Sequence, residues 1–413
     1  MLSAPRPRPA DGRGPGGTLL ICGAFDMQNF GDLLFPEIAR ARLPDWETVI
    51  AVAPTGCAPG LGCAPPMPAQ ALFNPATPMD AVMIGGGYIV HDFEMDGLVK
   101  LRGSPSDRPA GARLSQCWEG ATRAAALRRV PVVWNAPGVP FPFASPRRPA
   151  LRAICEAADY FSLRDRASAR LFLPEAPEAV TVTPDPVAEL ARHWPKRSLE
   201  PHWRRVRDRV GLGGGQDVLA VHVRDRSLNG LGPAGLAGLI DRFAAEAGLV
   251  PLLVAVGEAH DDAATARLVS ACLTERHVVL EAPESLREIA AVFAHARLYV
   301  GASLHGYIAA AAYGVPGALV ARPAYGKFAG FVEHAGWPDD LHRDWAGAFD
   351  HALALLQAAP VRPLPPTVFA ALDAHWTSIR AALARTGALA AERSGFLEPS
   401  SISPPPATAK MSL

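Results

Sequence analysis

Short apolar runs alternate with stretches of helical spacing along most of the chain. Thr18-Leu19-Leu20-Ile21-Cys22-Gly23 reads as a buried strand, and residues 32–42 read as the helix that follows it. Residues 80–84 (DAVMI), 130–134 (VPVVW) and 160–163 (YFSL) read as three further strands with helices between them. Uniformly apolar strands separated by helices predict a parallel sheet covered on both faces. The rhythm breaks over the polar, Pro/Trp/Arg-rich stretch 191–209, which is the expected domain boundary, and then restarts. Strands are expected over 217–223, 250–256, 277–280 and 298–300, and helices over 235–247, 261–272 and 285–296.

The expected fold class is therefore α/β, with two Rossmann-like parallel-sheet domains facing a cleft. The domains span 17–195 and 210–360, and C-terminal helices cover 361–397. Residues 1–16, rich in Pro, Arg and Gly, and the Ser/Pro tail 398–413 are expected to be disordered. A length of 413 residues agrees with two cores. Nearly half of the residues are apolar (49%), but no run approaches the roughly 20 that span a membrane. The 40 Lys and Arg balance the 40 Asp and Glu, which argues against a large nucleic-acid footprint. The six cysteines form no CxxC pair and read as reduced thiols of a cytoplasmic protein.

In tandem sheets of this kind, ligands sit beyond the strand C-termini, where loops meet helix N-termini. The polar and glycine residues fall at those loops. The segment from Tyr299 to Ala310 turns from strand to helix around His305. Backbone N–H groups and the helix dipole favour an anion there, and a histidine can move protons near neutral pH. His222 and Arg224 lie at i and i+2 on one face of a strand, and Arg224 offers a planar donor fork for carboxylate or phosphate. Asp225 is its alternative partner. Asn29-Phe30-Gly31-Asp32 follows the first strand, with Gly31 allowing close backbone approach and Asp32 as a helix N-cap or an acid. Gly85-Gly86-Gly87 follows the second strand and lacks the marks of a Walker or dinucleotide loop. Arg164 could reach a phosphate, and Asp185 could accept a hydroxyl proton. Tyr88, His91, Asp92, Trp134 and Asn135 are scattered candidates for a sugar pocket. No clustered His/Asp motif calls for a metal.

The order Asn29-Phe30-Gly31-Asp32, Gly85-Gly86-Gly87, Leu163-Arg164-Asp165-Arg166-Ala167-Ser168, Pro184-Asp185-Pro186 and Ser303-Leu304-His305-Gly306, with Tyr313-Gly314-Val315-Pro316 ending the last helix, resembles the polysaccharide pyruvyl transferase family. The likeness runs from about residue 19 to 319. It implies a GT-B-like fold and transfer of pyruvate from phosphoenolpyruvate onto two hydroxyls of a sugar as a cyclic ketal. Phosphoenolpyruvate is then a donor substrate, and no further cofactor is expected. The implied acceptor is a sugar, an oligosaccharide or a lipid-linked saccharide, met in the cytoplasm or at the inner membrane face. The basic stretch 123–129 could touch such a surface. His305, Arg224, Asp32 and Asp185 are the expected catalytic residues, with Arg322 as a further anion contact. Asn29, Gly31, Gly86, Gly87, Arg164, His222, Ser303 and Gly306 are expected to bind substrate. One departure stands out: many members resemble Arg-Leu-His where this chain has Ser303-Leu304-His305. A nucleotide-sugar glycosyltransferase of similar shape and a catalytically inactive binding protein of the same fold are the alternatives.

Overall fold

The computed structural model describes residues 17–57, 59–92, 112–228, 230–258, 260–322, 326–358 and 361–384. The expected disordered ends, 1–16 and 398–413, lie outside these residues. In the N-terminal half, β1 (Thr18–Cys22), β2 (Thr48–Ala53), β3 (Met67–Pro68), β4 (Ala81–Ile84) and β5 (Val132–Trp134) form one parallel sheet in the order β3-β2-β1-β4-β5. A short pair, β6 (Ser162–Leu163) and β7 (Thr181–Val182), extends it through a bridge from Val133 to Tyr160. The second half repeats the plan. There β8 (Val218–His222), β9 (Val250–Val254), β10 (Val278–Leu280), β11 (Leu298–Gly301), β12 (Gly317–Val320) and β13 (Leu341–His342) run in the order β10-β9-β8-β11-β12-β13, again all parallel.

Each sheet is apolar on both faces, as the strand sequences require. Leu19, Ile21 and Met83 pack to one side of the first sheet, and Leu20, Val82, Ile84 and Trp134 to the other. Alternation along the strand divides these residues because neighbouring side chains point to opposite faces. The strand Thr48–Ala53 was passed over by the sequence reading; its first four residues are exposed or half-buried, so it lacks a continuous buried run.

Most of the stretch 191–209, the expected domain boundary, is helical. Lys196–Val210 is a helix, with Leu199, Trp203 and Val206 buried at helical spacing and Arg side chains elsewhere. Its Arg209 reaches Glu284 and the buried Glu288 at the start of the helix Leu286–His295, so it belongs with the second sheet. The C-terminal helix Pro366–Ala384 crosses back to the first half. Trp376 is fully buried and donates to Glu189 at 2.7 Å, while Arg42 and Asp373 pair across the same junction. His375 bridges Tyr160 and Asn135, each at 2.9 Å.

The halves also meet through backbone. Phe30 N–H donates to the Val256 carbonyl at 2.8 Å, and Asn29 bridges Gly257. Gly257 sits at φ 152°, where a Cβ would come within 1.9 Å of the Gln28 carbonyl oxygen. The loop after β1 is therefore seated on the loop after β9. No described helix is long and apolar enough to cross a membrane. In the basic stretch 123–129, Arg123 pairs with Glu119 and Arg128 donates to the carbonyls of Asn74 and Thr77. Those two arginines tie the surface of the first half together.

Replacing Trp376 by Ala should cost about 3–5 kcal/mol, the range for emptying a buried aromatic site. Glu189 also loses a donor. Urea denaturation reads this directly, and a loss below about 1 kcal/mol would show that the crossing helix contributes little.

Candidate active site

Loops from the C-terminal ends of both sheets line one cavity of about 170 Å³. The first half supplies Asn29 and Asp32 after β1, Tyr88, Ile89 and His91 after β4, Pro140 and Phe141 after β5, and Arg164 after β6. The second half supplies Arg224 and Arg226 after β8, His260 after β9, Ser303 and His305 after β11, and Lys327 after β12. Asp32 is the one carboxylate that lines it among the described residues, against three guanidinium groups and one ammonium. So lopsided a balance suits a ligand carrying several negative charges.

His305 and Arg164 are held from behind. Asp185, buried at the start of a turn after β7, accepts the Val187 N–H through one oxygen and faces His305 Nε2 at 3.3 Å with the other. Arg164 Nη1 approaches that second oxygen at 3.7 Å, and Arg164 Nε lies 3.6 Å from Asp165. Burial pushes the Asp185 carboxyl up, but the His305 ring and the Arg164 guanidinium outweigh it and hold it below its ordinary value. With Asp185 ionised, Nε2 of His305 carries the proton, and Nδ1 is the nitrogen left to accept or give one.

Gly31 makes room for that ring. A Cβ on Gly31 would stand 1.8 Å from His305 Nδ1, so no larger residue fits while His305 keeps its place. Phe35 meets the ring edge-on, with centroids 5.8 Å apart. Tyr88 is flanked by two cations from opposite halves, Arg164 at 4.6 Å and Lys327 at 5.0 Å from its ring centre.

Titration in the cavity follows from crowding. Burial raises the Asp32 carboxyl above its ordinary value, although His305, Lys327, Arg164 and Arg224 pull the other way. The Lys327 ammonium is driven well below its ordinary value, first by burial and then by repulsion from Arg224, Arg164 and Arg226. Burial and the nearby Arg224 depress His260, and burial brings His91 down to about 4.

Of the residues singled out in the sequence, Asn29, Asp32, Tyr88, His91, Arg164, Arg224, Ser303 and His305 reach the cavity wall. Asn29, not Asp32, caps the helix Phe30–Arg42 by accepting the Gly31 N–H; Asp32 is buried in its first turn and turned inward. Gly86 and Gly87 are spacers: a Cβ on Gly86 would stand 2.0 Å from the Phe35 ring, and Gly87, at φ 93°, lies against Asp32. Gly306 does not face the cavity, because it is buried against Tyr299 and Phe293 with its N–H given to Ser303 Oγ. Ser303 caps the helix Leu304–Ala312, and the Tyr299 hydroxyl holds its carbonyl at 2.9 Å.

His222 is corrected most sharply. It is fully buried, bonded to Asp262 at 3.0 Å, and does not line the cavity. Asp225 is exposed and does not line this cavity, and Arg322 donates to the Arg343 carbonyl. Among the sugar-pocket candidates, Tyr88 and His91 line the cavity. Trp134 and Asn135 are buried, and Asp92 pairs with Arg147. Sequence reasoning missed Arg226, His260, Asp262 and Lys327. Arg226, two residues beyond Arg224, had a signal; Lys327 is the second residue of the helix Gly326–Ala335 after β12, where Gly326 was the mark that went unread.

The architecture matches solved structures of low sequence identity. UDP-GlcNAc 2-epimerase from Methanocaldococcus jannaschii superposes with a TM-score of 0.52 at 10% identity, covering 87% of this chain and 99% of that one. The Neisseria meningitidis UDP-GlcNAc 2-epimerase bound to UDP-GlcNAc gives 0.51 at 12%, over 88% and 99%. The S. aureus MnaA-UDP co-structure gives 0.52 at 12%, over 89% and 97%. The likeness establishes the GT-B fold, with two parallel-sheet halves around a cleft. No curated protein matches the chain. The family model for polysaccharide pyruvyl transferases matches residues 20–323.

Gly31→Ala should displace His305 and lower turnover at least about tenfold, in line with the sensitivity of positioned catalytic groups to shifts near 1 Å. The melting temperature should move by only a few degrees. Turnover at the wild-type level would show that His305 has room the structure does not reveal.

Proposed function

We propose that this chain, which belongs to the polysaccharide pyruvyl transferase family, moves pyruvate from phosphoenolpyruvate onto two hydroxyls of a saccharide. The observation that carries this reading is the cavity's charge: Arg164, Arg224, Arg226 and Lys327 converge beside His305, opposed by Asp32 alone among its described lining residues. Phosphoenolpyruvate brings a phosphate and a carboxylate on three carbons, a compact polyanion that such a cluster neutralises. The wall from Ile89, Pro140 and Phe141 is apolar and aromatic, the kind of surface on which a sugar ring can lie.

The chemistry asks for two proton carriers. Asp32, whose carboxyl burial raises above its ordinary value, delivers a proton to C3 as a hydroxyl attacks C2. His305 Nδ1 takes the proton of that hydroxyl, and Asp185 stabilises the imidazolium that results. The imidazolium then protonates the departing phosphate. The second hydroxyl adds to the oxocarbenium carbon and returns its proton to Asp32. The products are a ketal bearing one carboxylate and hydrogen phosphate, and both residues are restored. Arg224, Arg164 and Lys327 hold charge that is present throughout and shifts onto phosphate as it leaves.

Ser303 stands where many members resemble arginine. Its Oγ accepts the Gly306 N–H in the helix cap, so the anion contacts of this site fall to Arg164, Arg224, Arg226 and Lys327.

Phosphate release from phosphoenolpyruvate, measured against a panel of saccharide diols, should reveal an acceptor. In heavy water the ketal methyl should carry one deuteron, as proton delivery to C3 requires. His305→Asn should lower turnover by roughly 10²–10⁴-fold, as for a lost general acid or base. A product methyl without deuterium, or near-normal turnover of His305→Asn, would overturn the proposed roles.

A further inference from the structure

We infer that Asp262 is a positioning residue for the anionic donor: its buried carboxylate joins His222 and Arg224 and keeps the Arg224 guanidinium aimed into the cavity. The inference rests on the donor reading above. His222 and Arg224 follow one another at i and i+2 from the end of β8, so their side chains leave the same face. Asp262 meets both, with Oδ2 at 3.0 Å from His222 Nε2 and Oδ1 at 3.5 Å from Arg224 Nε.

The geometry is that of a brace. Asp262 is the first residue of the helix Asp262–Ser270, where an acid is favoured by the dipole, but such acids gain that benefit at the surface. Here the carboxylate is buried, its Oδ1 accepts no hydrogen bond among the described residues, and the charge nearest to that oxygen is Arg224. At 3.5 Å the pair attracts without closing a short hydrogen bond, which leaves the guanidinium N–H groups for a ligand. The Arg224 backbone is fixed separately: Ser227 Oγ accepts its N–H and donates to its carbonyl. Without Asp262, the guanidinium would be drawn across the cavity toward Asp32, and the anion would lose its best-placed fork.

The loop that carries Asp262 explains how the brace is set. It leaves β9 through Gly257, which is seated against Gln28 of the other half, places His260 on the cavity wall, and reaches Asp262 through Asp261 at φ 54°. The aim of Arg224 is thereby referred to the same loop that joins the two halves.

A double-mutant cycle on the full chain tests this, read by isothermal titration with phosphoenolpyruvate and, separately, with inorganic phosphate. Asp262→Asn should weaken anion binding about 10–100-fold, the worth of a charge-assisted contact. In an Arg224→Gln background the same change should weaken it less than about twofold. Equal weakening in both backgrounds, or none in either, would overturn the role. If Asp262→Asn fails to fold, Asp262→Glu serves the same cycle, with a loss expected only when Arg224 is present. Wild-type protein that binds phosphate but not phosphoenolpyruvate would refute the donor reading and leave the cycle to decide on Asp262. Binding of neither anion would remove both.

Discussion

Gathering like charges in a poorly solvated cleft is the constraint around which this molecule is built. Arg164 and Arg224 are buried, Lys327 is half-buried and Arg226 is exposed at the rim; they repel one another, and the repulsion grows as water is excluded. Buried carboxylates make the arrangement tenable: Asp262 stands behind Arg224, Asp185 behind His305 and Arg164, and Asp165 beside Arg164. Asp262 shows the strength of the coupling. Burial opposes its ionisation, yet His222, Arg224 and His260 bring its carboxyl down to about 2. Its stabilising contribution is therefore present above the ordinary carboxylate range and is lost only as pH falls toward 2.

The sheets serve this arrangement by delivering every contributor from a strand C-terminus. Parallel order in both halves points all these loops into one cleft, where helix N-termini add their partial positive charge. Small residues then set the distances. Gly31 admits the His305 ring, and Gly138 lies against the Arg164 guanidinium, where a Cβ would come within 2.5 Å of Nε. The halves are tied at two places, by Phe30 and Asn29 on the loop after β9 and by Trp376 and His375 on the far side. The cavity spans a junction with its own fixed geometry.

Much of this was legible in the chain. Buried strands such as Leu298–Gly301 and Val218–His222 announce themselves as apolar runs, because parallel strands are covered on both faces. The Ser-Leu-His corner, the Asn-Phe-Gly-Asp loop and Arg224 all carry marks that local physics assigns to a ligand site. The helix Lys196–Val210 was hidden because its three core contacts, Leu199, Trp203 and Val206, are outnumbered by arginines and interrupted by Pro201. His222 was misplaced for a different reason. Strand alternation tells which residues share a face, but not whether a carboxylate from a distant loop already occupies that face. Asp262 and Lys327 reach the site only through tertiary folding, and no spacing rule links them to His305.

Donor titration by calorimetry at rising salt concentration bears most directly on the claim that the cleft is a preformed seat for a small polyanion. Burial and the neighbouring guanidinium groups depress Lys327 in the free protein, and an arriving anion favours its charged form. Phosphoenolpyruvate should bind saturably, and its affinity should fall as salt screens the charge of the cleft. Binding of a nucleotide-sugar in place of phosphoenolpyruvate, or phosphoenolpyruvate binding that salt does not weaken, would contradict the account.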